Sequence, residues 1–564
     1  MKFEMEKSAE NKAYNAWLTH LAGTPDGALL EKMQKSEMLD AFSADIAFGT
    51  GGLRGIMGIG TNRLNTHTVR RVTQGLAKTI MLSDKPQSVC VAYDTRQNSA
   101  EFAELVSSTL SAYGIAVYIF QKPMPTPALS FVIRHLKLGW GVVITASHNP
   151  PEYNGYKVYD SRGVQATDNL ANQITANINN VKFFEPIPAA EQGTVTTISA
   201  EIEAAYEKQI ISYLLGNIAS GNKESERKKL AGSGVLDIQC KASEYPIIYS
   251  ALHGAGASVI PSVLGQLGFT PNCIQQSPDG FFGGMKTPNP EDSSVYSLAI
   301  SEAKKSGANI ILATDPDCDR VGVLQKTANG YEPLSGNQIG ALLIDYLAQS
   351  RGVSHGDTVI TTIVSGTLGE LLAKSLGLDF KRLLTGFKYI GDYAENLPKD
   401  KRFFFGYEES FGFLAGDGAR DKDAVIASAL ISQMAVHYEN QKKTLLDRWN
   451  ELSLEHGYCL ESLHSVNMPS SEQKIIMDKL RSRNGIKLSG LTEIQDYLTE
   501  IDGLPRADVI KLFFDDKSWA AFRPSGTEPK IKLYMGVYAK TLEEARTKQE
   551  SMNMKLLPIL EEIS

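Results

Sequence analysis

Trp140-Gly141-Val142-Val143-Ile144-Thr145-Ala146-Ser147-His148-Asn149-Pro150-Pro151 carries an apolar run straight into a polar loop. The run is short and rich in β-branched residues, so Trp140–Thr145 reads as a strand. Asn149-Pro150-Pro151 forbids a helix beyond it and stiffens the loop. The rhythm repeats on both sides. Ser88–Tyr93 is a strand ending at Asp94, Glu101–Tyr113 a helix, and Ile115–Phe120 a strand. Tyr245–Ser250 runs into His253-Gly254-Ala255-Gly256 and a helix, and Asn309–Thr314 ends in a cluster of aspartates. Val359–Val364 leads into Ser365-Gly366-Thr367, and Arg402–Phe405 into Gly406-Tyr407-Glu408-Glu409-Ser410. Such alternation predicts α/β domains with largely parallel sheets. In those sheets ligands sit beyond the carboxyl ends of the strands. Each polar loop named here lies at such an end.

The chain has 564 residues, too many for one core, and three to five domains are expected. Apolar residues make up 42% of it, enough for sizeable cores. The net charge of -7 argues against a nucleic-acid partner, which needs cations against its phosphates. A small phosphorylated substrate needs only a local cluster of Arg and Lys. Five scattered cysteines (Cys90, Cys240, Cys273, Cys318, Cys459), with no CxxC pair, fit a reducing, cytoplasmic setting without disulfides or zinc. The polar start Met1–Glu6 lacks the form of a signal peptide, and no run of about 18 apolar residues predicts a membrane span. Residues 8–42 read as helical, and Asn222–Lys229 as an exposed charged linker. Leu445–His456 reads as a helix before a smaller α+β domain. That domain closes on a helix opened by the capping box Thr541-x-x-Glu544.

Four loops carry the chemistry. Ser147, with His148 beside it and Lys157 in Asn154-Gly155-Tyr156-Lys157, is placed for nucleophilic or phosphoryl-carrier work; an ordinary loop serine reads as well. Gly is absent on both sides of it, so this is not a hydrolase elbow. Asp315-Pro316-Asp317-Cys318-Asp319-Arg320 sets three carboxylates at alternate positions, a spacing for a hard cation. Arg320 and Lys326 stand where an EF-hand needs Gly and Glu, and three Asp without His favour Mg²⁺ over zinc. The competing reading, a solvated acidic turn, leaves three like charges uncompensated. Gly406-Tyr407-Glu408-Glu409-Ser410-Phe411-Gly412 can grip sugar hydroxyls, or simply start a helix. Arg523-Pro524-Ser525-Gly526-Thr527-Glu528-Pro529-Lys530 offers a fork, hydroxyls and backbone N–H groups to a phosphate, or is a proline-bounded turn.

Taken together and in this order, the loops resemble the α-D-phosphohexomutase superfamily. The stretch Phe48-Gly49-Thr50-Gly51-Gly52-Leu53-Arg54-Gly55 is similar to its phosphoglucomutase/phosphopentomutase branch. The resemblance runs from about Ala47 to Tyr534. It implies three related α/β domains (1–205, 206–325, 326–445) and a C-terminal α+β domain of TATA-binding-protein-like type (446–564) around a cleft. It implies that Ser147 is the phosphoserine. Asp315, Asp317 and Asp319 would bind Mg²⁺, with an oxygen on Ser147 completing the site. Arg54, His148, Lys157 and Arg320 would lie near the transferring phosphoryl group, and Lys422 would be a further phosphate or acid/base contact. Glu408 and Ser410 would hold sugar hydroxyls, and the loop of Thr385, Gly386 and Lys388 would touch substrate. Arg523, Ser525, Gly526 and Thr527 would hold the phosphate that does not react.

The implied reaction is conversion of glucose 1-phosphate to glucose 6-phosphate through phosphoserine, with glucose 1,6-bisphosphate as primer and intermediate. Gly412 stands where mannose-accepting relatives often carry histidine. A phosphopentomutase is the main alternative, then a phosphomannomutase or a Mg-dependent sugar phosphatase; a non-catalytic sugar-phosphate sensor is a further rival. The expected partner is a small phosphosugar, with no nucleic acid and no membrane, on a monomer or weak homodimer.

Overall fold

The computed structural model describes residues 9–49, 52–187, 192–216, 241–482, 488–525 and 530–561. The expected linker 222–229, Cys240, Thr50, Gly51, Gly526 and Thr527 lie outside these. The first sheet contains β1 (Gly52–Ile56), β2 (Ser88–Tyr93), β3 (Ala116–Ile119), β4 (Trp140–Ile144), β5 (Tyr153–Tyr159) and β6 (Val195–Thr197). Their order is β1-β5-β4-β2-β3-β6. The strands β4, β2, β3 and β6 are parallel, whereas β5 returns antiparallel to both β4 and β1. β4 is buried along its whole length, which is why it reads as an uninterrupted apolar run.

The second sheet holds β7 (Ile247–Ser250), β8 (Asn272–Ile274), β9 (Ile310–Thr314), β10 (Val321–Thr327) and β11 (Gly330–Leu334), ordered β11-β10-β9-β7-β8. The third holds β12 (Asp357–Thr362), β13 (Asp379–Leu383), β14 (Arg402–Tyr407) and β15 (Phe413–Leu414), ordered β13-β12-β14-β15. Both are parallel at the centre and antiparallel at an edge. The fourth is antiparallel throughout: β16 (Tyr458–Asn467), β17 (Leu491–Asp496), β18 (Ile510–Phe514), β19 (Trp519–Pro524) and β20 (Lys530–Ala539), ordered β16-β20-β19-β18-β17. Helices Ser470–Arg481 and Leu542–Glu561 cover it through Ile476, Leu480, Leu556 and Leu560. Thr541 Oγ1 accepts from the Glu544 N–H as expected, while the Glu544 carboxylate reaches Lys540 N–H rather than that of Thr541.

The edges explain the loops. Ser147 lies between antiparallel β4 and β5, the aspartates between β9 and β10, and Glu408–Gly412 between β14 and β15. Ser525 follows β19, ahead of antiparallel β20. The serine, aspartate and glutamate loops, expected at parallel strand ends, are therefore hairpin connections, whereas His253–Gly256 and Ser365–Thr367 do lead from parallel strands into helices. A ladder pins each of the three hairpin loops at both ends, which limits its freedom more than a single strand would.

Three expected boundaries shift. Position 205 falls inside helix Ala200–Leu214, and 325 falls inside β10. β10 pairs without interruption to β9 and β11, so the second sheet runs on to Leu334. Helix Leu445–His456 buries Leu445 and Leu452 in the core of the third unit, so the fourth sheet starts only at Tyr458. The expected helical stretch 8–42 is three helices: Ala9–His20, Pro25–Lys32 and Lys35–Ala41. Gly23 is left-handed, and the Thr24 side chain caps the second helix with Pro25 in its first turn.

One apolar core unites the first three units, from Phe131 through Val263 and Leu312 to Leu343 and Ile431. A second joins the third and fourth: Ile363, Val364 and Phe387 pack with Trp519 and Tyr534. Buried Lys511 of β18 donates to the Ile363 carbonyl across that seam, at 2.5 Å.

Candidate active site

Ser147 is buried and holds a left-handed backbone, φ 51°. That region disfavours a residue with a β-carbon, so the surroundings must impose it. The Ser147 N–H donates to Thr145 Oγ1 at 2.8 Å, and that hydroxyl donates to Asp94 Oδ2 at 2.6 Å. Gly155 of β5 faces the Thr145 carbonyl so closely that a β-carbon would stand 2.5 Å from the oxygen. The Ser147 hydroxyl then reaches across to the second unit and donates to Asp315 Oδ2 at 2.7 Å. His148 Nδ1 lies 3.3 Å from the same hydroxyl oxygen. Burial, with Arg320 and Arg54 nearby, holds the His148 pKa well below the usual value, so its imidazole is neutral. From β1, Arg54 Nη1 donates to Asn149 Oδ1 at 2.9 Å and enters the same loop.

Asp315 uses its other oxygen to shape its own turn, accepting from the Asp319 and Arg320 N–H groups at 3.1 and 3.0 Å. Asp317 Oδ2 accepts from Lys157 Nζ at 2.7 Å and from the Thr126 hydroxyl at 3.0 Å. Asp319 Oδ2 lies 3.1 Å from Lys422 Nζ and 3.4 Å from Lys157 Nζ. Among the described residues Asp317 Oδ1 and Asp319 Oδ1 are buried with no hydrogen-bond partner, the latter 3.7 Å from Arg320 Nε. One oxygen from each of the three aspartates lies within 4.8 Å of the others. Burial, then repulsion from Asp317 and Asp319, pushes the Asp315 pKa well above the carboxylate range. Burial also works against charge on Asp319, but Lys422, Lys157 and Arg320 outweigh it and hold its pKa low. Two orphaned carboxylate oxygens beside a third carboxylate fit a hard divalent cation with oxygen ligands.

The third loop meets the second directly: the Val321 N–H donates to the Phe411 carbonyl at 3.2 Å, and Arg320 bridges Gly412. Its two glutamates part company. The Glu409 carboxylate turns inward, its Oε2 accepting from the Thr362 and Ser365 hydroxyls at 2.9 and 3.2 Å. Glu408 is buried and accepts from the Gly386 N–H at 2.8 Å. Burial, reinforced by Glu409, raises its pKa to about 7. Ser410 is half-buried in the same turn. Among the described residues Thr385 Oγ1 is buried with no hydrogen-bond partner. Lys388 of the same loop donates to Asp168 Oδ1 of the first unit at 2.6 Å.

On the fourth sheet Arg523 stands opposite Lys532 in register between β19 and β20. The Arg523 charge also acts on Lys388, so the third and fourth units converge here. The Ser525 N–H donates to the Lys530 carbonyl at 2.8 Å. The structure thus brings Ser147, His148, Arg54, Lys157, Lys422, Arg320 and the three aspartates into one bonded cluster, with Glu408 beside it. Lys388 and Arg523 belong to a second group.

Several contributors are not apparent from sequence. Thr126 binds Asp317, Asp168 holds Lys388 and Tyr389, Glu291 pairs with Arg320 at 3.0 Å, and Lys532 faces Arg523. Of these only Lys532 carried a local signal. Arg523 lies near the end of one strand and Lys532 near the start of the next, which makes them cross-strand neighbours.

A serine joined to an aspartate triad at the junction of stacked α/β units defines an enzyme of the phosphosugar mutase class. The phosphoglucomutase/phosphomannomutase α/β/α domains I, II and III match residues 45–185, 232–330 and 335–452. The phosphoglucomutase of Staphylococcus haemolyticus is 36% identical over 528 residues, 89% of this chain and 92% of that protein. That of Staphylococcus aureus is 33% identical over 547 residues, 93% of this chain and 95% of the relative. Among solved structures, parafusin of Paramecium, a phosphoglucomutase in its open form, aligns with a TM-score of 0.69 at 17% identity, covering 92% of this chain and 95% of its own. A putative phosphomannomutase of Thermus thermophilus aligns with a TM-score of 0.68 at 22% identity, covering 92% and 99%. The chain belongs to the phosphoglucomutase/phosphomannomutase family of the α-D-phosphohexomutase superfamily.

Proposed function

We propose that this protein interconverts glucose 1-phosphate and glucose 6-phosphate, with Ser147 as the phosphoryl carrier. The observation that carries the reading is the 2.7 Å contact of Ser147 Oγ with Asp315, which sets the serine against the aspartate cluster. The phosphoglucomutases at 33 and 36% identity favour glucose as the sugar.

In this reading phospho-Ser147 gives its phosphoryl group to the free 6-hydroxyl, the P–Oγ bond breaking as the new P–O bond forms. The glucose 1,6-bisphosphate turns over in the cleft, and its 1-phosphoryl returns to Ser147. Such transfer needs charge neutralisation and in-line positioning more than covalent help. Asp315, Asp317 and Asp319 would hold Mg²⁺, which neutralises charge on the transferring group. Lys157, Lys422, Arg54 and Arg320 add cations around the same point, and neutral His148 is free to accept or donate a hydrogen bond. Glu408 and Ser410 would read sugar hydroxyls. Arg523, Lys532, Ser525, Gly526 and Thr527 would hold the idle phosphate, with Thr385, Gly386 and Lys388 alongside. Binding energy from that remote group orients the reacting one.

The domain partition proposed with this mechanism has one sheet per unit, with the seams near Leu334 and Tyr458. A cytoplasmic location is part of the reading, supported by free Cys90, Cys273, Cys318 and Cys459. Among the described residues no helix is long and apolar enough to cross a membrane.

The deciding assay offers glucose 1-phosphate and ribose 1-phosphate side by side, with Mg²⁺ and priming bisphosphate. Higher kcat/KM for the glucose ester with almost no free phosphate is expected. Preference for the ribose ester makes the protein a phosphopentomutase, and stoichiometric phosphate release makes it a phosphatase.

A further inference from the structure

Ser147 sits in the connection between β4 and β5, and carbonyl groups in such a connection need donors when buried. One side chain supplies them. Arg96 is 3% exposed and donates from Nη2 to the Ser147 and Asn149 carbonyls at 2.5 and 2.6 Å. From Nη1 it donates to the Pro150 and Tyr153 carbonyls at 2.8 and 3.0 Å. Its Nε lies 3.3 Å from Asp94 Oδ2. Asp94 in turn accepts from Thr145, Ser99 and the Arg96 N–H, so the guanidinium is itself held in place. Only a planar fork with five N–H donors can serve four carbonyls this way; a lysine ammonium has three donors and no plane.

The second unit closes the same guanidinium from another side. The Phe282 ring, fully buried, lies with its centroid 4.9 Å from Arg96 Cζ. Phe282 holds φ 53°, an uncommon conformation for an aromatic residue, in a turn where Asp279 accepts from the Phe281 and Gly283 N–H groups at 2.9 and 2.7 Å. Gly280 of that turn presses on Gln97, where an added β-carbon would stand 2.7 Å from the backbone nitrogen. The unit that carries the aspartates thus also stacks an aromatic face on the arginine that shapes the serine loop.

We propose that Arg96 is a positioning residue for phosphoryl transfer. It holds Ser147 in its left-handed conformation, with Oγ aimed at the aspartate cluster, and Phe282 locks it when the second unit is docked. Arg96 acts through the loop backbone and touches no reacting atom. The proposal rests on the phosphoryl-carrier reading of Ser147.

The test uses the full-length protein with Mg²⁺ and follows single-turnover phosphorylation of Ser147 by glucose 1,6-bisphosphate, alongside steady-state kcat and KM. Wild type must first take up one phosphoryl group per chain; if it does not, the carrier reading fails and not the Arg96 assignment. Given that uptake, Arg96→Lys should slow the single-turnover rate about 100-fold, the scale of an ångström of misplacement, with KM unchanged within about twofold. Phe282→Leu keeps an apolar side chain but loses the ring face, and should slow the same step about 10-fold. Arg448→Lys, in the distant pair with Asp345, is the control for a merely structural arginine and should lower Tm without changing the rate. A wild-type rate in Arg96→Lys overturns the proposal. So does a loss that Arg448→Lys matches at equal Tm, or one that falls on KM. If Arg96→Lys does not fold, Phe282→Leu decides, and an unchanged rate there overturns the proposal.

Discussion

The loop carrying Ser147 and the loop beginning at Arg523 both follow a strand whose antiparallel partner lies just beyond, yet their charges are arranged in opposite ways. Around Ser147 the cations face anions: Lys157 bridges Asp317 and Asp319, Lys422 lies between Asp319 and Asp421, and Arg320 pairs with Glu291. On the fourth sheet Arg523 faces Lys532 directly, with Lys388 in range; the Arg523 side chain meets the Tyr534 hydroxyl, and the carboxylate that acts on Lys532 is Glu291. Like charges opposite one another in a sheet are destabilising. An arrangement of that kind is relieved when an anion arrives. In the proposed function the reacting end would thus meet its substrate with most of its cations already paired, whereas the holding end would offer cations set side by side to the phosphate that does not react.

The sharpest way to break this contrast is at the serine. Ser147→Ala should abolish turnover and phosphoryl uptake from labelled bisphosphate, and retained activity would end the carrier role. Next, Asp317→Asn should raise the Mg²⁺ concentration for half-activation by at least about 100-fold, since even outer-shell changes cost 10–100-fold in metal affinity. An unchanged Mg²⁺ titration would detach the triad from the metal. At the other end, Arg523→Ala should raise KM roughly 10–100-fold, the value of one charge-assisted hydrogen bond of about 1.5–3 kcal/mol. Phosphorylation of Ser147 by a small donor should survive. A fall in kcat with KM intact would mean that the two ends do not divide the work.

The smallest expected effect concerns Glu408, whose pKa is raised from 4.5 to about 7 by burial and Glu409. The folded protein holds this proton more tightly than the unfolded chain. Its contribution to stability is full below pH 4.5 and is lost as pH rises through about 7. Glu408→Gln carries no such proton, so its stability relative to wild type should improve by about 3 kcal/mol across that window. Urea melts of both proteins at pH 4.5 and 8 measure this directly. A difference that does not change with pH would mean that Glu408 is ionised throughout.

Much of this site was legible because it is local. Strand Ser88–Tyr93 and helix Leu445–His456 appear where their periodicity places them, since propensity and burial agree there. The serine, aspartate and glutamate loops stood out because polar residues at the end of an apolar run have few purely structural reasons to be there. Other features depended on remote partners. The 325 boundary failed because β10 looks no different alone; only its pairing with both β9 and β11 assigns it to the second sheet. The pairing of Lys388 with Asp168 had no local signal, because the two lie 220 residues apart.

The sequence by itself determined which residues could do the chemistry: a serine, three aspartates and an arginine loop, each bracketed by its own strand signals. Side-chain type and short-range periodicity are properties of neighbours along the chain. Only the tertiary structure decided that Ser147 meets Asp315, that Arg96 braces the serine loop, and that Arg523 faces Lys532. Those distances follow from how separately formed sheets dock against one another, and docking geometry is written in no single stretch of residues.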